Sequence, residues 1–348
     1  MKAGTKPGAQ APIGGPSNKV GFAAGSGYGQ LSQAELSKRF ADMRALGAAW
    51  VRFDIEWNNI ENAGPGQYNW APYDRLVTTA NAQGLKVLGI IGYTPPWARK
   101  AECKDDSMCA PANVADFARF AGAAAGHYRP LGVSAWEIWN EPNTANHFAP
   151  AADPALYTAM LAGAYGSIKA ANPAAIVITG GTAPTDTESG YISPVDFASG
   201  IYANGAGKYF DAFGAHPYTY PVTPTYPNAG NAWGQLAKIR SIMVANGDSR
   251  KSIWATEFGA PTGGPGPLAT QNAYLPGAFK VSEALQSLMV SDAFASLKLK
   301  PYVANIFWYS YQDAGTSPND NENFFGLLRA DGSRKPAYNT FAAGSRSF

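Results

Sequence analysis

The chain is short of charge, cysteine and histidine. Of its 348 residues only 15% are Asp, Glu, Lys or Arg, against about a quarter in ordinary soluble domains. The 27 basic and 25 acidic side chains nearly cancel, leaving a formal net charge of +2. No basic run rises above a pair such as Lys38-Arg39 or Arg334-Lys335, so the electrostatic footprint of a nucleic-acid binder is missing. No apolar run approaches the roughly 20 residues that span a bilayer, and the N-terminus lacks the apolar core of a signal peptide. The glycines at 25, 27 and 29 have the spacing G-x-G-x-G. A dinucleotide cradle needs G-x-G-x-x-G, so this stretch reads as a flexible loop.

Cys103 and Cys109 are the only cysteines. With no histidine close by they make a poor zinc site, and their spacing is not a redox C-x-x-C. A local disulfide is the expectation, and with it a secreted or cell-envelope location; two free surface thiols are the alternative. No metal and no cofactor are expected.

Glycine (38), proline (26) and aromatic residues (18 Tyr, 17 Phe, 9 Trp) are plentiful. Low charge with many rings suits a protein that handles neutral ligands by stacking and hydrogen bonds, and it suits a large aromatic core equally well. Residues 1–19, rich in Gly, Pro, Ala and Lys, read as a linker or trimmed N-terminal segment ahead of one domain over 20–348. In that domain the apolar pattern resolves into strands near residues 20–22, 50–55, 86–91, 136–139, 175–179, 212–215, 252–256 and 304–309, with helical patterns between them. Ser32 with Glu35 forms a capping box, and Asp153-Pro154 is a cap followed by proline at the first helical position. Eight strands alternating with helices predict an α/β fold, the (β/α)8 TIM barrel. An open doubly wound sheet is the alternative; it would carry an early phosphate-cradling glycine turn, and none fits.

Active sites of such barrels lie at the C-terminal ends of the strands. The residues there are Arg52 and Asp54 on the second strand, Asn140 and Glu141 on the fourth, His216 and Tyr218 on the sixth, Glu257 on the seventh and Trp308 on the eighth. Two carboxylates on separate strands, with an arginine, an amide, a histidine, a phenol and an indole, form a chemically coherent set.

Three motifs carry a resemblance. Trp139-Asn140-Glu141-Pro142, His216-Pro217-Tyr218 and Thr256-Glu257-Phe258-Gly259, in that order on the fourth, sixth and seventh strands, resemble the signature of the clan A retaining glycoside hydrolases, with families 5 and 39 nearest. The resemblance runs from about residue 20 to the end. It implies that Glu141 is the general acid/base and Glu257 the nucleophile. Retaining hydrolysis needs one ionised and one protonated carboxyl roughly 5 Å apart, and Arg52 would keep Glu257 ionised. Glu141, beside Trp139, would hold its proton to higher pH. Asn140 would meet the sugar 2-hydroxyl, Tyr218 and His216 would orient the nucleophile and the sugar, and Trp308 would floor the cleavage subsite. Trp97, with Trp57, Tyr93, Tyr220, Tyr226 and Tyr311, lies on mouth loops suited to outer sugar subsites.

Plainer readings stand beside these. Arg52 could pair with Asp54 or Glu56, His216 could be a satisfied core histidine, Trp308 could be barrel core, and Glu137, sharing a strand face with Trp139, reads as structural. The function that follows is hydrolysis of an oligo- or polysaccharide by a monomer. The alternatives are a carbohydrate-binding protein on a catalytically silent barrel, or a transglycosylase or arabinofuranosidase-type enzyme with the same carboxylate pair.

Overall fold

The computed structural model describes residues 19–25, 27–227 and 231–347. All but Lys19 of the expected linker lies outside the described residues. Eight parallel strands close into a barrel: β1 (Val20–Ala23), β2 (Trp50–Glu56), β3 (Lys86–Gly92), β4 (Ala135–Ile138), β5 (Ile176–Thr179), β6 (Ala212–Ala215), β7 (Ser252–Phe258) and β8 (Val303–Tyr309). Each strand is followed by a helix: α1 (Gln33–Ala45), α2 (Ala71–Ala82), α3 (Val114–Tyr128), α4 (Pro154–Ala171), α5 (Pro194–Ala203), α6 (Ala232–Ala245), α7 (Glu283–Leu297) and α8 (Pro336–Ser347). The protein is a (β/α)8 TIM barrel. The ring closes where β1 lies between β2 and β8, with Val20 opposite Ile306 and Gly21 opposite Trp50.

Local chemistry sets the helix ends. The Ser32 side chain accepts from the Glu35 backbone N–H and starts α1, a contact worth about 1 kcal/mol. Gly47, at φ 97, ends its turn in the left-handed region that suits glycine. Asp153 accepts from the backbone N–H groups of Ala155 and Leu156, with Pro154 at the first helical position of α4.

Two apolar layers hold the barrel. Ala23, Trp50, Leu88, Ala135, Ile178, Ala212, Trp254 and Phe307 pack together inside the ring. Trp50 meets Trp254 edge-on at 5.4 Å, and Trp254 stacks on Phe307 at 6.2 Å. This aromatic plug fills the interior, so polar groups on the strands find room only above it. The larger layer, between strands and helices, holds the alternate residues such as Val51, Phe53, Ile55, Trp136 and Ile138.

The eighth-strand tryptophan belongs to that outer layer. Trp308 is opposite Phe258 in the ladder and packs on its ring at 5.8 Å, against Val290, Ala293 and Phe341 from the helices. It does not floor the cleft. Phe307 points inward, so Trp308 must point outward, and Tyr309 is the strand-end residue that faces in. An all-apolar run such as Ile306-Phe307-Trp308 conceals this, because both faces of a parallel strand are buried.

The cysteines form the expected disulfide, Cys103–Cys109. It lies in the β3–α3 loop, whose Trp97 also proves to be a packing residue. The Trp97 ring meets Trp57 edge-on at 5.7 Å and its indole N–H donates to the Glu61 carbonyl at 2.7 Å. These contacts fasten the loop to the helix layer and not to the carboxyl pair. Trp57 and Tyr311 are likewise buried packing residues. No helix among the described residues is long and apolar enough to cross a membrane.

Candidate active site

Two departures from regular backbone build the mouth. Among the described residues only Tyr93, Trp139 and Glu141 have positive φ without being glycine, at 66°, 71° and 49°. All three stand just past the ends of β3 and β4. Such conformations cost about 1–3 kcal/mol each and persist where surrounding structure enforces them. At Trp139 the kink swings the ring outward, against Phe117 and Phe148, and off the strand face of Glu137 that simple alternation would assign to it. Asn140 and Glu141 are thereby turned to the mouth. On β7 a register shift relative to β8 separates Ala255 from Phe258. This bulge lets Thr256 and Glu257 both face the interior, the re-aiming that bulges perform beside active sites.

Arg52 is the hub. It is 3% exposed. Its Nε donates to Glu137 at 2.6 Å, Nη1 to Glu257 at 2.5 Å and Nη2 to the Asn140 side-chain oxygen at 2.8 Å. Pairing with Asp54 or Glu56 is therefore not its main role. Glu137, fully buried, also accepts from the Gly181 N–H at 2.8 Å and the Thr256 hydroxyl at 2.9 Å. Because Arg52 occupies the amide oxygen of Asn140, the orientation of that amide is fixed and its N–H groups remain for a ligand.

Glu141 and Glu257 converge on one imidazole. His216 Nδ1 is 2.9 Å from Oε1 of Glu141 and 3.6 Å from Oε2 of Glu257, and one carboxylate oxygen of each glutamate lies within 4.8 Å of the other. His216 is buried, but it is bound to the site and is not a bystander of the core. Gly181 makes its position possible, since a Cβ there would overlap the ring. The Tyr218 hydroxyl donates to Oε2 of Glu257 at 2.7 Å. Burial by itself pushes the Glu257 carboxyl up; the His216 imidazole and the Arg52 guanidinium, helped by Tyr218, outweigh it and hold the group below the usual carboxylate range. At neutral pH Glu257 is ionised.

Asp54 accepts from the Tyr93 hydroxyl at 3.2 Å, and burial, opposed by Arg52, raises its carboxyl to about 7. Two participants escaped the reading of the chain. Glu137 reads from the sequence as structural, yet a carboxylate inside an otherwise apolar strand calls for a cation, and Arg52 is that cation. His147, whose Nδ1 lies 3.0 Å from Oε2 of Glu141, carries no signal in a lone loop histidine. The surroundings of Glu141 are thus two imidazoles and not the Trp139 indole. Glu141, His216 and Glu257 also have the spacing of metal ligands, but the Arg52 charge against Glu257 disfavours a cation there.

No protein-family profile matches the chain. Its fold is shared with a family 39 glycoside hydrolase from the gut symbiont Bacteroides cellulosilyticus WH2, at a TM-score of 0.72 and 23% identity, over 95% of this chain and 64% of that one. It is shared also with the GH5_18 protein from Streptomyces cattleya in complex with GlcNAc, at a TM-score of 0.67 and 15% identity, over 95% and 80% of the two chains. A short stretch is similar to β-amylase 1, chloroplastic, of Arabidopsis thaliana, 31% identical over 51 residues, which is 15% of this chain and 9% of that one. This chain spans under two thirds of the family 39 enzyme. The solved structures that share its fold include glycoside hydrolases of families 39 and 5, the families its strand-end motifs resemble.

Proposed function

We propose that the protein is a retaining O-glycosyl hydrolase that cleaves an oligo- or polysaccharide through a covalent intermediate on Glu257. The observation that carries this reading is that one carboxylate oxygen of Glu141 lies within 4.8 Å of one of Glu257. Retaining enzymes hold their carboxyls about 5–5.5 Å apart, whereas inverting ones leave about 6.5–9.5 Å for a water molecule. Glycoside hydrolases among the structures of the same fold support it as well.

In this mechanism ionised Glu257 attacks the anomeric carbon while Glu141 protonates the leaving oxygen. Water then attacks the ester carbon with Glu141 as base. Arg52 and Tyr218 keep the nucleophile charged and aimed, and the Asn140 amide donates to the sugar 2-hydroxyl as positive charge builds on the ring. We read residues 20–348 as one catalytic domain acting as a monomer, exported to a compartment where the Cys103–Cys109 bond persists.

The test is trapping with 2-deoxy-2-fluoro glycosyl fluorides, read by peptide mass spectrometry. Labelling of Glu257 is expected; sugar binding without labelling, across several sugars, would favour the silent, carbohydrate-binding barrel.

A second expectation concerns pH. The Tyr218 hydroxyl stabilises the Glu257 carboxylate, so Tyr218→Phe raises the pKa of Glu257 towards its ordinary value. Activity needs the deprotonated form, so the acid limb of the kcat/KM profile moves to higher pH. A limb that stays in place would remove Tyr218 from the machinery.

A further inference from the structure

Glu141 is gripped on both oxygens. Oε1 faces Nδ1 of His216 at 2.9 Å, and Oε2 faces Nδ1 of His147 at 3.0 Å. The His147 ring is placed by its own loop: the Thr144 hydroxyl lies 3.2 Å from Nδ1, and the Trp139 indole N–H donates to the His147 backbone carbonyl at 2.5 Å. The side chain is 34% exposed, unlike the buried His216.

The two imidazoles differ in what they can do. Nδ1 of His216 faces only carboxylate oxygens, of Glu141 at 2.9 Å and of Glu257 at 3.6 Å, so Nδ1 carries a proton. His216 therefore donates to Oε1. The transferable proton of Glu141 then belongs on Oε2, the oxygen that touches His147.

We propose that His147 is a positioning residue for the acid/base: it holds Oε2 of Glu141 and shares with it the single proton that is handed to the leaving oxygen. The proposal rests on the reading of Glu141 given above. In the resting pair the proton sits on Nδ1 of His147 or on Oε2 of Glu141. In the first step the Oε2–H bond breaks and its proton goes to the leaving oxygen, as the bond from C1 to that oxygen breaks and the Glu257–C1 bond forms. In the second step water bonds to C1, the ester bond returns its electron pair to Glu257, and the water's proton restores the pair.

The other charged or titratable groups around the pair are Arg52 from β2, His216 and Tyr220 from β6 and its loop, Glu257 from β7, and Glu322 from the β8–α8 loop.

The chain has only three histidines, His127, His147 and His216, so nitrogen-15 imidazole signals of the full chain are assignable by single substitution. Comparing them in the parent and in Glu141→Gln at one pH reads the contact directly. The His147 ring-nitrogen signals should change in Glu141→Gln, since Nδ1 loses its carboxylate partner at 3.0 Å, while those of His127 stay in place. In His147→Gln and His147→Ala kcat/KM for 4-nitrophenyl glycosides should fall severalfold. The rate ratio of 4-nitrophenyl to 2,4-dinitrophenyl glycosides should fall severalfold, because the poorer leaving group depends more on the proton. The contact of Trp139 with the backbone carbonyl survives both substitutions and keeps the loop in place. Unchanged His147 signals in Glu141→Gln overturn the proposal, and so does a leaving-group rate ratio in the His147 variants equal to the parent's. Full activity in Glu141→Gln would sink the acid/base assignment instead, a separate failure on which the spectra do not depend.

Discussion

Glu257→Ala should lose turnover by a factor on the order of 10⁴ or more, the scale on which enzymes lose rate when an essential nucleophile is removed. The reason is geometric. Arg52 holds Oε1 of Glu257 while Tyr218 and His216 face Oε2, and without that carboxylate no ester forms. The fold should survive, because Arg52 keeps its bonds to Glu137 and Asn140 and the removed carboxyl stands at the partly open mouth, 14% exposed. A thermal melt near the parent's, together with lost hydrolysis, is the expected pair of results. Small anions provide a control: azide in the vacated space should restore part of the rate and yield a glycosyl azide of inverted configuration. An alanine variant with full activity would end the proposed chemistry.

Arg52→Met should be the most destabilising single change at the site. Arg52 is 3% and Glu137 0% exposed, and removing one member of a buried pair strands the other charge, at a cost of about 3–5 kcal/mol. Urea unfolding of the single variant measures that cost. The double change Arg52→Met with Glu137→Leu removes the fully buried charge that Arg52→Met strands, and it should recover part of the stability, while Glu257 at the partly open mouth still lacks its guanidinium. Hydrolysis should stay lost in the double variant, because Glu257 has no guanidinium to keep it ionised. If Arg52→Met unfolds at the parent's urea concentration, the hub described above has no energetic weight.

The barrel and its two glutamates were legible because they depend on local rules. Apolar alternation, caps at Ser32 and Asp153 and the polar residues that end strands are encoded within a few positions of one another. What resisted reading was every feature in which one strand answers to another. The bulge that turns Glu257 inward is a register mismatch between β7 and β8, invisible in either segment alone. The outward face of Trp308 follows from the inward face of Phe307, which only ring closure decides. Trp97 sits on a mouth loop as expected, yet the Glu61 carbonyl and the Trp57 ring draw it to the helix layer. Glu137 gains its meaning from an arginine 85 residues away. His147 gains its meaning from a left-handed turn at Glu141 that nothing in Asn-Glu-Pro-Asn announces.

The contact between Arg52 and Glu257 joins residues 205 positions apart, and its place in the ring gives it a second role. Walking round the barrel, β2, β1, β8 and β7 are consecutive, so this one pair straddles the seam where the first and last strands zip together. It is a latch as well as the contact that keeps Glu257 charged. If Glu257 is the nucleophile proposed above, a chain whose seam has not shut has none that is aimed, and the onset of hydrolysis during refolding becomes a clock for the final zipping of the ring.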